Sequence, residues 1–151
     1  MKVGIIVYSQ SGNTLLVAQR LKKAFEEKGH TVSLEKVEAS GEGANPKLIF
    51  APDVSPYDLI VFASPVHAFS LAPAMKLYLS QLQDLKGKIV YSFVTQQLKK
   101  DWMGGNHAIK QMKSACREKG AEVIMDSIVH WSSNEREGQI EALTNKLSAG
   151  K

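Results

Sequence analysis

Short unbroken apolar runs alternate with amphipathic stretches of helical length along almost the whole chain. An unbroken run is the pattern of a strand buried on both faces, and a three- and four-residue apolar spacing is that of a helix with one buried stripe. Val3 to Tyr8 predicts the first strand. Thr14 to Lys28 sets Thr14, Val17, Ala18, Leu21, Ala24 and Phe25 on one helical face and stops at Gly29, the residue a helix C-terminus favours. Thr31 to Val37 alternates, which predicts a second strand with one wetter face at a sheet edge. Tyr57 to Ser64 holds Leu59, Ile60, Val61, Phe62 and Ala63 in a row, a central third strand. Pro73 suits the first turn of a helix carrying Met75, Leu79 and Leu82. Lys88 to Thr95 is the fourth strand, and Gly105 to Lys119 a helix with Ala108, Ile109, Met112 and Cys116 on one face. Val123 to Trp131 is the fifth strand, and Ser133 to Leu147 the last helix, for which Ser132 and Glu135 predict a capping box.

One connection breaks the alternation. Ala39 to Pro56 is punctuated by Gly and Pro, with only Leu48, Ile49 and Phe50 apolar together. The expectation there is a helical turn at most, with Phe50 tucked beneath it. Five strands alternating with about four helices predict one α/β domain over residues 1–151, a doubly wound parallel sheet with helices on both faces. Such sheets bind ligands at the carboxyl ends of their strands, where the strand order reverses. The loops after the first, third and fourth strands are therefore the places to look.

Composition narrows the class. Of 151 residues, 44% are hydrophobic and 23% charged, which excludes disordered, collagen-like and membrane-spanning chains. The apolar run of the first strand ends at Ser9 and is too short for a signal peptide or a membrane span, so a cytoplasmic location is expected. Cys116 is the single cysteine, which excludes an internal disulfide or a multi-cysteine zinc site. His30 and His107 have no partner spacing that suggests a metal, and His130 lies within the fifth strand. The net charge is +4, but its excess sits almost wholly in residues 86–119, which carry eight basic and two acidic residues. A local excess of that kind argues for an anionic partner at one place and against nucleic acid along a face.

The chemistry concentrates in the first loop, Ser9-Gln10-Ser11-Gly12-Asn13-Thr14. It offers three hydroxyls, a glycine that lets backbone approach closely, and the free N–H groups of a helix start, which are the parts of a phosphate cradle. It contains no lysine, so it is not a P-loop, and it lacks the Gly-x-Gly-x-x-Gly of a dinucleotide site. The plainer alternative is a Ser/Asn-rich helix cap, although a cap needs only one such residue. A phosphoacceptor receiver would need acidic residues where Tyr8, Ser9 and Ser64 stand, and a low-molecular-weight phosphatase would need a cysteine in this loop.

With these residues in place, the chain resembles the flavodoxin family over essentially its whole length. The first loop is similar to that family's phosphate loop for flavin mononucleotide (FMN). Ala63 to Phe69 resembles its second flavin loop, and Val94 to Gln97 with Trp102, Gly104 and Gly105 its third. The resemblance implies strand order 2-1-3-4-5 and the short form of the family, since Val123 to Trp131 is uninterrupted. It also implies that Ser9, Gln10, Ser11, Gly12, Asn13 and Thr14 hold the phosphate. Ser64, Pro65, Val66, His67, Ala68 and Phe69 would line one side of the ring, and Thr95, Gln96, Gln97, Trp102 and Gly104 the other. Trp102 and then Phe69 are the implied stacking partners, against the alternatives of an exposed loop aromatic and a helix anchor. His67 reads either as a polar contact or proton donor at the ring edge or as a surface histidine, and Val66-His67-Ala68 has no glycine for a peptide switch. No catalytic side chain is implied. The function implied is an electron carrier using FMN. The alternatives are an FMN-dependent oxidoreductase acting on a quinone or other small acceptor, and a flavin-free binding module. Partners would be a redox protein, acidic where it meets Lys99 and Lys100 at the flavin rim, or a small-molecule acceptor, with neither nucleic acid nor membrane.

Overall fold

The structure is a computed structural model that describes residues 1–41 and 45–150. In chain order its elements are β1 (Lys2–Val7), α1 (Asn13–Glu27), β2 (Thr31–Lys36), β3 (Glu38–Ser40), β4 (Lys47–Phe50), β5 (Leu59–His67), β6 (Ser70–Leu71), α2 (Pro73–Gln81), β7 (Ile89–Gln96), α3 (Gly105–Glu118), β8 (Val123–His130) and α4 (Arg136–Ala149). Five parallel strands form the main sheet in the order β2-β1-β5-β7-β8, the order implied by the resemblance, and β6 folds back antiparallel on β5. The strand order reverses between β1 and β5, so their carboxyl ends flank the expected ligand crevice.

Alternation along each buried strand feeds two cores. On β1, Ile6 faces one cluster while Val3, Ile5 and Val7 face the other; on β5, Ile60 and Phe62 oppose Leu59, Val61 and Ala63 in the same way. Helices α2 and α3 close the first cluster through Met75, Leu79, Ala108 and Met112. Helices α1 and α4 close the second through Val17, Leu21, Phe25, Ile140, Leu143 and Leu147. β2 is the half-exposed edge that its alternation predicts. Gly4 is required inside β1 because a Cβ there would run into the ring of Tyr57.

Two expectations are corrected. Among the described residues of 39–56 no helical turn forms, and β3 and β4 pair as an antiparallel ribbon. Leu48 packs on the core there, while Ile49 is 69% and Phe50 46% exposed, so Phe50 is not tucked in. The two-residue period of a strand turns Ile49 away from the face that Leu48 buries, and a register shift between Glu38 and Ala39 interrupts the alternation before Phe50. The capping box is also absent. Helix α4 begins at Arg136, later than expected, because Ser133 Oγ accepts the Glu135 N–H in a local turn and the Ser132 hydroxyl donates to the Gln97 carbonyl.

Candidate functional site

The first loop leaves β1 at its carboxyl end and enters α1 through Gly12, whose φ of 93° is the left-handed conformation that glycine adopts at low cost. Ser9 Oγ accepts the Leu15 N–H at 3.2 Å, and the buried hydroxyls of Thr14 and Thr95 meet at 2.8 Å. That second contact pins the start of α1 to the end of β7. The first turn of α1 carries no acidic residue, so the positive end of its dipole and the leading N–H groups are left for an anion.

The second loop is a tight hairpin. Val66 pairs with Leu71 and His67 with Ser70, leaving Ala68 and Phe69 as the two turn residues at φ 50° and 63°. Positive φ at both is the primed turn that the strand twist prefers, and without glycine it costs roughly 1 kcal/mol per residue. The hairpin is held from below: Gln111 Oε1 on α3 accepts from both the Leu71 N–H and the Ser70 hydroxyl, at 2.8 and 3.0 Å. The Tyr8 and His67 rings meet edge to face across the first and second loops.

The third loop is shaped from within by Gln96. Its buried side chain donates to the carbonyls of Leu98 at 2.7 Å and Lys100 at 2.8 Å. Ser132 holds the Gln97 carbonyl, and the Trp131 N–H reaches the Gln96 carbonyl at 2.6 Å. Asp101 Oδ1 lies 2.6 Å from His130 Nε2. Gly104, at φ 114°, packs onto the second loop so closely that a Cβ would stand 2.7 Å from Phe69 Cα.

The three loops enclose a cavity of about 320 Å³ lined by Gln10, Ser11, Asn13, Pro65, Val66, His67, Thr95, Gln96 and Gln97 together with Trp131. A cleft of about 200 Å³ continues over Val66, Ala68, Phe69, Gln96, Gln97, Leu98 and Met103. Eleven of the expected site residues thus line these two spaces. Ser9, Gly12, Thr14 and Gly104 shape the loop backbones, and the buried Ser64 hydroxyl donates to the Pro65 carbonyl. Trp102 lines neither space and is 73% exposed. Trp131 also lines the cavity; the sequence reading makes it only the last residue of the fifth strand, yet that position is the carboxyl end of the sheet, where such folds bind ligands.

The Cys116 thiol is fully buried on α3, and burial pushes its pKa up to about 12. Among the described residues no cluster of three or more His, Cys, Asp or Glu could hold a metal, and no helix is long and apolar enough to cross a membrane.

Comparison with known proteins gives a consistent picture. Residues 4–127 match the family model described as Flavodoxin domain. No match is found among curated protein sequences. Among solved structures, the two-electron-reduced flavodoxin of Megasphaera elsdenii superposes with a TM-score of 0.74 at 21% identity, over 98% of this chain and 99% of that one. Oxidised flavodoxin 2 of Bacillus cereus gives 0.70 at 21% identity, over 96% of both chains. A flavoprotein of Lactobacillus acidophilus NCFM, solved in complex with FMN, gives 0.63 at 22% identity, over 91% of this chain and 97% of that one. These likenesses are of fold.

Proposed function

The chain belongs to the flavodoxin family, and from that premise we propose that it is an FMN-binding electron-transfer protein whose flavin lies in the cavity between the first, second and third loops. The observation that carries this reading is the opening of an acid-free helix start onto the same cavity as the carboxyl ends of β5 and β7. The residues present fit the group. Ser11 and Asn13 with the leading N–H groups of α1 form an anion cradle, and Val66, Ala68, Phe69, Leu98 and Met103 give the adjoining cleft apolar walls for a flat ring. FMN is the cofactor, and when bound it supplies the electron and hydride chemistry.

The protein's own part is to fix the cradle, exclude water and set the surrounding charge. The Thr14–Thr95 contact fixes the phosphate end relative to the ring end. Lys99 and Lys100 are exposed on the third loop, beside the cleft, where positive charge favours the anionic reduced flavin and an acidic partner protein. A cytoplasmic location belongs to the same reading.

The decisive experiment adds FMN to the apoprotein: its fluorescence is quenched with one equivalent bound, and an unquenched titration leaves only a flavin-free module. A second reading, an oxidoreductase for a quinone or similar acceptor, is favoured by a further cavity of about 630 Å³ that shares Gln10, Val66 and His67 with the flavin cavity and is also lined by Tyr8, Ser70 and Lys76. Multiple turnovers of quinone by reduced protein with no protein partner would select that reading over the carrier.

A further inference from the structure

We propose that Trp131, backed by Arg136, is a cofactor-contacting residue that walls the phosphate end of the flavin cavity and supplies the cationic field the first loop lacks. This rests on the reading that FMN occupies the cavity. Trp131 is the first residue beyond β8, and its N–H bond to the Gln96 carbonyl fixes its backbone as firmly as a strand residue's. Its half-buried ring packs on the cluster beneath α1 and α4 and lines the same cavity as Gln10, Ser11, Asn13 and Gln97.

Arg136 holds that ring in two ways. Its guanidinium carbon lies 4.6 Å from the ring centroid, and its Nη1 donates to the Trp131 carbonyl at 2.8 Å. The contact with the ring favours one orientation of the indole and the bond to the carbonyl holds the backbone beneath it before any ligand arrives, which lowers the ordering cost of binding. The charge matters because Ser9 to Thr14 contains no basic residue. A dianionic phosphate in a cradle of N–H and O–H groups alone gains from a cation set behind one wall, even without direct contact. The other tryptophan, Trp102, lines neither part of the flavin space, so the two indoles can be told apart.

The test follows FMN and riboflavin binding by flavin emission, and the two indole N–H signals by NMR, assigned with Trp102→Phe. On FMN binding the Trp131 N–H signal shifts strongly, because the phosphate brings its negative charge against that wall, and riboflavin shifts it much less. Trp131→Ala weakens FMN about tenfold, in line with the loss of one aromatic wall contact, while Trp131→Phe retains most of the affinity. Arg136→Gln weakens FMN several-fold and riboflavin, which lacks the phosphate, hardly at all. Tight FMN binding with an unmoved Trp131 signal, or a Trp131→Ala affinity within twofold of the wild type, overturns this proposal alone. Should Trp131→Ala fail to fold, the indole shift in the wild type and the Trp131→Phe affinity decide it. Failure of the wild type to quench FMN overturns the flavin reading and this proposal with it.

Discussion

Replacing Gly104 with Ala tests how the second and third loops are held together. Gly104 sits at φ 114°, and a Cβ there would lie 2.7 Å from both Phe69 Cα and Val66 Cγ1 and 3.0 Å from the Phe69 carbonyl carbon. Two of those three atoms are backbone, and they belong to a two-residue turn already at positive φ, so the hairpin has little freedom to yield. The left-handed conformation costs alanine about 1–2 kcal/mol, and forcing an extra methyl into a packed contact costs about 1–3 more. The sum, about 2–5 kcal/mol, corresponds to a fall in Tm of about 4–20 °C for a domain of this size. The displaced hairpin carries Val66, Ala68 and Phe69, so FMN affinity falls at least tenfold as well. Gly138 provides the opposite control: it is exposed within α4, and a Cβ there meets nothing within 4 Å. Gly138→Ala gains about 0.5–1 kcal/mol, raises Tm by about 1–4 °C and leaves FMN binding unchanged. Thermal unfolding by circular dichroism and a fluorescence titration with FMN measure both variants. A Gly104→Ala protein melting within 2 °C of the wild type with unchanged affinity would refute the reasoning.

Thr14→Val strands the buried Thr95 hydroxyl and lowers stability by about 1–3 kcal/mol, whereas the Thr14→Val/Thr95→Val pair recovers most of it; equal losses in chemical denaturation would count against the bond. Native protein leaves Cys116 unmodified by iodoacetamide at pH 8 and modifies it fully in guanidinium, and rapid native labelling contradicts the buried, raised thiol. Burial also raises the pKa of Tyr57, Tyr78 and Tyr91, so the folded state keeps protons that the unfolded chain loses. Stability is therefore full below the unfolded thiol pKa of 9.0 and is lost as pH rises towards the folded value of about 12, which a Tm that climbs between pH 9 and 11 would disprove. Lys99→Gln/Lys100→Gln lowers the potential of the last reduction step by tens of millivolts at low salt and flattens its ionic-strength dependence; an unchanged potentiometric titration rejects the charge argument.

The sheet was legible because strands buried on both faces leave unbroken runs such as Leu59 to Ala63, and the helices because Val17, Leu21 and Phe25 repeat at helical spacing. The ribbon was not. Leu48, Ile49 and Phe50 form a three-residue run in the sequence, but only Leu48 turns inward, and four residues are too few to display an alternation. In the candidate site, the first loop stands out in the sequence because its composition is that of an anion cradle, and Gln10, Ser11 and Asn13 line the cavity. Gln96 shows the limit of that approach: its position was anticipated, but its amide turns back to hold the carbonyls of Leu98 and Lys100, a choice set by how the loop folds. Trp131 was not legible because its place in the cavity wall depends on the fold bringing the end of β8 beside Gln10, Ser11 and Asn13, more than a hundred positions away.

The fixed shape of the third loop converts a compositional excess into a surface property. Eight basic residues against two acidic ones in 86–119 mean little if the loop is free to reorient. Gln96 ties it from inside, Ser132 ties it at Gln97, and Gly104 packs it onto the hairpin of the second loop. Within it, Asp101 faces His130 on β8, so the loop's single carboxylate is drawn towards the sheet, while Lys99 and Lys100 stay exposed beside Leu98 and Trp102. A held loop that turns two ammonium groups and two apolar side chains outward beside the proposed flavin cavity offers steering and contact at one spot. An acidic partner that docks there should therefore lose association rate with added salt, and Lys99→Glu/Lys100→Glu should slow its association while leaving FMN affinity unchanged. If association with an acidic redox protein is indifferent both to salt and to this charge reversal, the basic loop is only a solvated surface.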